Sequence, residues 1–331
     1  MLRLGINGFG RIGRAVTRLS LLKRDLQVVA INSRSSADSH AYLLQYDSVH
    51  GKLSNKVESS KNSITIDGKN IACFREKIPK DIPWKKAHVD VVIESSGVFN
   101  EGNTAYGHLG ESVKWVIISA PSDDADRTIV MGVNEEDYDT DNDQVISNAS
   151  CTTNCLAPIC KVLEESFGIS KGMATTIHAT TSTQSVLDRS SKKDFRKERS
   201  AMNNIIPSTT GAASALVSVL PKLAGRIDAM AMRVPVLNGS VVDLKVELKR
   251  DATKDEVLSA FASSKMVNRG ILEVSTAPLV SQDIVGNTAS CIVDTDFVGV
   301  IGGNLVTVLA WYDNEMGYSA RLLDLAAYIT A

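Results

Sequence analysis

The opening of the chain constrains the fold more than any other stretch. Leu2, Leu4 and Ile6 lead into Gly8-Phe9-Gly10-Arg11-Ile12-Gly13, after which Ile12, Ala15, Val16 and Leu19 recur at helical intervals. Leu26 to Ile31 then reads as a second buried strand. Strand, G-x-G-x-x-G turn, helix and strand together make a βαβ unit of the kind that binds a dinucleotide. The glycines let the backbone approach a pyrophosphate, which rests on the helix N-terminus. A plain tight turn shares the glycine spacing but not this context. Gly8, Gly10 and Gly13 are therefore candidate cofactor residues.

The end of the second strand bears on which dinucleotide is bound. A carboxylate there would hydrogen-bond the ribose 2′-hydroxyl of NAD. This chain has Asn32-Ser33-Arg34-Ser35-Ser36 instead. No acid stands there to repel a 2′-phosphate, and Ser33 and Arg34 can donate to one. The alternative is that Arg34 is a solvated loop residue.

Further along, Ile64 to Ile71 alternates around Asp67-Gly68 and predicts a hairpin. Val89 to Gly97 and Trp115 to Ala120 read as buried parallel strands ending in small polar residues, where doubly wound sheets bind ligands. After residue 151 the pattern changes. Residues 172–180, 229–236, 241–248 and 305–312 suggest a second sheet, residues 182–204 a long polar loop rich in Lys and Arg, and residues 314–331 a docked terminal helix. The expected fold is α/β. A Rossmann-type doubly wound parallel sheet domain would comprise residues 1–150 and 315–331. An α+β catalytic domain with a mixed, mostly antiparallel sheet would comprise residues 151–314.

Composition narrows the class. With 331 residues, 44% hydrophobic and 22% charged, the chain can build two substantial cores. A net charge of -2 gives no global field favouring nucleic acid or an anionic membrane. There is no signal-peptide profile and no membrane-spanning run, and five cysteines without framework spacing argue for reduced thiols. A cytoplasmic setting is expected.

Chemistry centres on Ser147-Asn148-Ala149-Ser150-Cys151-Thr152-Thr153-Asn154-Cys155-Leu156-Ala157-Pro158. The segment is small and polar up to Cys151. Leu156, Ile159, Val162 and Leu163 then recur with helical spacing. Cys151 is thus expected at or just before the first turn of a helix, where unpaired N–H groups lower a thiol pKa. Cys155 and Cys160 read as buried small hydrophobes. C-x3-C is neither a redox pair nor half a zinc site, so no metal is expected. Of five histidines, His40, His50, His88 and His108 sit among turn-like residues and are expected in solvent. His178, on a predicted strand, is either a base for Cys151 or a satisfied core histidine. The hydroxyl-rich turns Thr180 to Thr183 and Ser208 to Gly211, with Arg233 on an apolar strand, suit a phosphate ester, although ordinary capping would also explain the Ser and Thr residues.

Four motifs carry a family resemblance: residues 6–13; Tyr46-Asp47-Ser48-Val49-His50-Gly51; Ala149 to Cys155; and Trp311-Tyr312-Asp313-Asn314-Glu315-Met316-Gly317-Tyr318. Over essentially its whole length the chain resembles phosphorylating glyceraldehyde-3-phosphate dehydrogenases. The resemblance implies Cys151 as nucleophile and His178 as its base. It implies Thr181, Thr183 and Arg233 for the substrate phosphate, and Ser150, Thr152, Thr210 and Gly211 for the attacking inorganic phosphate. Arg11, Ile12, Ser119 and Asn314 match cofactor-contacting positions, and Lys77 stands where the family often has a basic residue. The substrate would be glyceraldehyde 3-phosphate, and the assembly a homotetramer with residues 182–204 at an interface.

Where NAD-using relatives usually have an acid and Gly-Pro, this chain has Ser33 and Arg189-Ser190, the pattern of members that accept NADP. NADP is accordingly the expected preferred cofactor, with NAD also accepted. The alternatives are an erythrose-4-phosphate dehydrogenase of the same family and a non-enzymatic surface-binding protein.

Overall fold

In the computed structural model, residues 1–190 and 194–331 are described. The chain divides into two compact units, Met1–Ser150 with Ser319–Ala331, and Cys151–Tyr318. The second division falls inside the last helix, where the sequence pattern suggests 314/315.

The first unit holds β1 (Leu2–Asn7), α1 (Arg11–Ser20), β2 (Leu26–Asn32), α2 (Ala37–Gln45), β3 (Tyr46–Asp47), β4 (Gly51–Lys52), β5 (Val57–Ser60), β6 (Ser63–Ile66) and β7 (Lys69–Phe74). It continues with β8 (Val91–Glu94), α3 (Gly102–Ala105), β9 (Trp115–Ile118), β10 (Arg127–Thr128) and β11 (Val145–Ser147). Nine strands form one sheet in the order β10-β11-β9-β8-β1-β2-β7-β6-β5. From β10 to β7 every pairing is parallel, and only the β5–β6–β7 edge is antiparallel. Leu4, Ile6, Ile31, Ile93 and Ile117 are fully buried, as strands covered on both faces require. Asp67 and Gly68 both have positive φ, the signature of the tight hairpin turn joining β6 to β7. β1 lies between β2 and β8, so the chain winds outward in both directions from it, and the crevice at its carboxyl end is the switch point where such sheets take ligands.

The second unit contains α4 (Cys151–Phe167), β12 (Ile169–His178), β13 (Ile206–Thr209), α5 (Ala212–Val219), β14 (Ile227–Arg233), β15 (Ser240–Leu248), α6 (Lys254–Ala262) and α7 (Lys265–Asn268). β16 (Leu272–Ser275), β17 (Cys291–Asp294), β18 (Gly299–Ile301) and β19 (Leu305–Tyr312) complete its sheet, and α8 (Met316–Tyr328) follows. The order is β13-β14-β12-β15-β19-β17-β16, with β18 also on β19. β12/β14 and β16/β17 are parallel and the other pairs antiparallel. β13 is an addition, since its residues Ser208 and Thr209 read as turn formers in the sequence. Pairing with β14 overrides that local preference.

Candidate active site

A cleft of about 510 Å³ in the first unit opens at the carboxyl ends of β1, β2 and β8, where Gly8, Ser33 and Ser96 line it. The turn glycines show why a dinucleotide fits. Gly8 has φ +92°, and a Cβ there would fall 2.4 Å from the Ser96 backbone. At Gly13 it would fall 2.4 Å from the Gly8 carbonyl oxygen, whereas at Gly10 it would meet open space. The outer glycines close the turn, and the middle one leaves its backbone open to the cleft.

Asn32, Ser33, Arg34 and Lys77 line the same cleft. Arg11 is turned instead to Asp47, 2.5 Å away. Burial pushes the Asp47 carboxyl up, but hydrogen bonds from Arg11 and from the His50 and Val49 N–H groups outweigh this and hold it well below the usual range. Ile12 is half-buried on α1, and Ser119 donates its N–H to the Glu94 carbonyl. Sequence reasoning missed Arg14, His40 and Glu76, which also line the cleft. Arg14 lies one helical turn after Gly10, and His40 one turn into α2, so periodicity was the available signal.

Two histidine expectations are corrected. His88 is exposed and His50 half-buried, but His40 and His108 are buried. His108 has a reason to be inside. Its Nε2 meets the fully buried Glu94 carboxylate at 3.0 Å, and its Nδ1 accepts from Trp84 Nε1. Since Nδ1 accepts, the proton sits on Nε2 and is donated to Glu94. Glu94 also accepts from Asn7 Nδ2 at 2.5 Å, and Asn7 Oδ1 accepts from Asn32 Nδ2 at 2.8 Å. The amide orientations of both cofactor-side asparagines are thus set from the buried carboxylate.

In the second unit, Cys151 is the first residue of α4. Ala149 precedes it with φ +54°, a left-handed conformation that costs an alanine roughly 1 kcal/mol or more. Cys151 Sγ lies 3.5 Å from His178 Nε2. His178 ends β12 and is in register with Arg233, which ends the parallel strand β14. Nδ1 of His178 is 2.7 Å from the Ala179 carbonyl oxygen and 2.6 Å from Arg233 Nη1. A guanidinium only donates and a carbonyl only accepts, so Nδ1 can satisfy one of them at a time. Bare for Arg233, it leaves the proton on Nε2 facing the sulfur. Protonated for Ala179, it leaves Nε2 open to accept the thiol proton.

Electrostatics run against the expected lowering of the Cys151 thiol pKa. Burial pushes the Cys151 thiol above its ordinary value, with Arg233 and hydrogen bonds at Thr152 and the Cys151 N–H pulling partly back. Burial, then Arg233, lowers His178 to about 4, with the Ala179 hydrogen bond opposing. Both directions favour the neutral thiol and the neutral imidazole in the ligand-free site. Burial outweighs the Arg233 charge and the hydrogen bonds at Thr152 and the Cys151 N–H.

The hydroxyls are unevenly placed. Thr181 and Thr183 bond each other at 2.8 Å, and Thr183 is exposed. Thr210 accepts from the Ala212 N–H at the start of α5, with Gly211 exposed between them. The Thr152 hydroxyl bonds the Tyr312 hydroxyl at 3.0 Å, which reaches Thr176 at 2.8 Å. Tyr312, missed as a site residue, also packs edge-on to His178. Ser150 is half-buried, Ser190 is exposed and the Asn314 side chain accepts from Ser240. Cys155 and Cys160 are buried, and burial raises both thiols. Lys192 and Lys193 of the long loop lie outside the described residues.

A dinucleotide cleft in one unit and a cysteine within reach of a histidine in the other are the equipment of an NAD(P)-dependent oxidoreductase. Comparison with known proteins agrees and narrows the class. Residues 2–102 match the glyceraldehyde 3-phosphate dehydrogenase NAD binding domain, and residues 150–314 match the C-terminal domain. Glyceraldehyde-3-phosphate dehydrogenase 1 of Bacillus cereus is 52% identical over 332 residues, covering 100% of this chain and 99% of the relative. The Geobacillus stearothermophilus enzyme is 50% identical, covering 99% and 98%. The chain belongs to the glyceraldehyde-3-phosphate dehydrogenase family.

Proposed function

We propose that the chain oxidises D-glyceraldehyde 3-phosphate and captures inorganic phosphate, giving 1,3-bisphosphoglycerate in a reversible reaction. The supporting observation is the 3.5 Å approach of Cys151 Sγ to His178 Nε2. Cys151 attacks the aldehyde carbon while His178 Nε2 takes the thiol proton and returns it to the new oxygen, leaving a thiohemiacetal. His178 then accepts the hydroxyl proton. A nicotinamide held in the cleft would supply the two-electron oxidant, as acceptor of the hydride from this carbon, which is left as a thioester. Phosphate oxygen attacks the thioester carbonyl, the acyl phosphate departs and the Cys151 thiolate recovers its proton from His178. A thioester retains enough of the oxidation energy to make an acyl phosphate. Arg233, Thr181 and Thr183 hold the substrate phosphate, and Ser150, Thr152, Thr210 and Gly211 hold the attacking one.

Gly8, Gly10 and Gly13 form the turn that takes the pyrophosphate, and Arg11, Ile12, Ser119 and Asn314 stand at positions that contact the cofactor in the family. NADP is preferred over NAD, because Ser33, Arg34 and Lys77 offer donors and cations where a carboxylate would repel a 2′-phosphate, and Ser190 matches the small polar residue of family members that accept NADP. The chain works as a cytoplasmic homotetramer with residues 182–204 at an interface. Among the described residues, no helix is long and apolar enough to cross a membrane.

The test compares turnover of glyceraldehyde 3-phosphate with that of erythrose 4-phosphate, with and without inorganic phosphate. Phosphate-dependent reduction of the cofactor with the triose is expected. Phosphate-independent turnover favouring the four-carbon aldehyde overturns the assignment.

A further inference from the structure

One buried side chain in the cofactor cleft has no role in anything above. His40 lies one turn into α2, whose N-cap Ser36 follows directly on Ser33-Arg34-Ser35. His40 lines the cleft and is 5% exposed, with both ring nitrogens buried and the ring packed edge-on to Phe9, centroids 5.3 Å apart. Neither ring nitrogen hydrogen-bonds any described residue. A neutral imidazole carries one donor and one acceptor, and leaving both unmade in the interior is costly unless a ligand completes them.

The surroundings define the ligand's charge. Arg14 of α1, Arg34 after β2 and Lys77 after β7 line the same cleft, with Glu76 as the acid among them. Asp38, on the same helix as His40, is engaged by the Ser59 hydroxyl at 2.8 Å. Burial, then Arg14 and Arg75, lowers the His40 pKa, so the ring stands neutral in a positive setting. A ribose hydroxyl would bring no charge to this corner. A phosphate dianion would answer the cations and supply acceptors for an imidazole that donates.

We propose that His40 is a specificity residue that hydrogen-bonds the 2′-phosphate of NADP and takes up a proton as that dianion enters. The assignment rests on the reading of Ser33 and Arg34 as an NADP-selecting turn. A proton gained on binding makes affinity fall as pH rises through the bound-state pKa of the imidazole. NAD, lacking the phosphate, is indifferent to the residue.

The experiment uses adenosine 2′,5′-bisphosphate and 5′-AMP, which differ only in the 2′-phosphate, titrated into the full chain by calorimetry. Measurements at about pH 7 and about pH 8.5 keep the phosphate monoester mostly dianionic, since its second pKa is about 6. Wild type is expected to prefer the bisphosphate, and more so at the lower pH. His40→Leu should cut that preference by about tenfold, the worth of one charge-assisted hydrogen bond, and flatten its pH dependence. His40→Asn should keep part of the preference without the pH slope. The affinity for 5′-AMP and the melting temperature should hold in both variants, which excludes misfolding as the cause. A wild-type preference that His40→Leu leaves unchanged overturns the role of His40 alone. No wild-type preference at either pH overturns the NADP reading, and this inference with it.

Discussion

Arg233 Nη1 lies 2.6 Å from His178 Nδ1, across two parallel strands on which the two residues are register partners. The cation proposed to hold the substrate phosphate therefore also governs the proposed base. A phosphate ester that engages Arg233 draws positive charge away from the imidazole. Nδ1 is then released to donate to Ala179, and Nε2 becomes the proton acceptor. Arg233→Leu should raise the His178 pKa above about 4. It should also raise KM for the phosphorylated aldehyde by at least about tenfold, with little change for unphosphorylated glyceraldehyde. Imidazole NMR titration and steady-state kinetics check the two parts, and an unmoved titration would break the link.

Cys151→Ser should keep its fold and cofactor affinity while losing at least about a thousandfold in kcat, since a serine hydroxyl beside a base of low pKa is a poor nucleophile. His178→Asn should lose roughly a hundredfold or more, the usual worth of a positioned base. Because burial raises the Cys151 thiol, alkylation by iodoacetamide in the ligand-free protein should accelerate steadily with pH above the ordinary thiol range. A fast, pH-independent alkylation at neutral pH would contradict this.

The buried imidazole also links stability to acid. His178 titrates at about 4 in the fold against 6.5 when free, so between these values the unfolded chain binds the extra proton. Its contribution is complete above pH 6.5, declines as pH falls toward about 4 and is flat below. The span corresponds to about 3 kcal/mol. In urea unfolding, His178→Asn should lose less stability than wild type between pH 6.5 and pH 4 by an amount of that order. Equal losses would show that the imidazole is not held neutral.

At the cofactor turn, Ser33→Asp should lower the ratio of kcat/KM for NADP over NAD by at least about tenfold, because a donor is exchanged for a repelling charge worth ~1.5–3 kcal/mol. The measurement is initial rate against each cofactor in both proteins. An unchanged ratio would show that the 2′-phosphate lies elsewhere.

Much of this was legible in the sequence because it is local. The β1 turn is written in consecutive residues, and its glycines are required by contacts a Cβ would violate. Cys151 at the head of α4 follows from the polar-to-apolar change within one segment. What stayed hidden depends on burial and on long-range pairing. His108 sits among turn-like residues, yet Glu94 and Trp84 draw it inside. The register that sets Arg233 beside His178 joins strands far apart in sequence, so the lowered imidazole and the raised thiol could not be foreseen from either residue's neighbours. β13 formed against its local preference for the same reason.

Ser319–Ala331 complete the unit begun by Met1–Ser150, burying Leu322, Leu323 and Leu325. A ribosome delivers those thirteen residues only after Cys151–Tyr318. The nucleotide-binding half, begun before the other unit, must therefore wait as an unfinished body while the whole of Cys151–Tyr318 is synthesised. Removing the tail would expose an apolar face on the half that lies furthest from it in sequence. Order of manufacture and order of completion are reversed in this polypeptide.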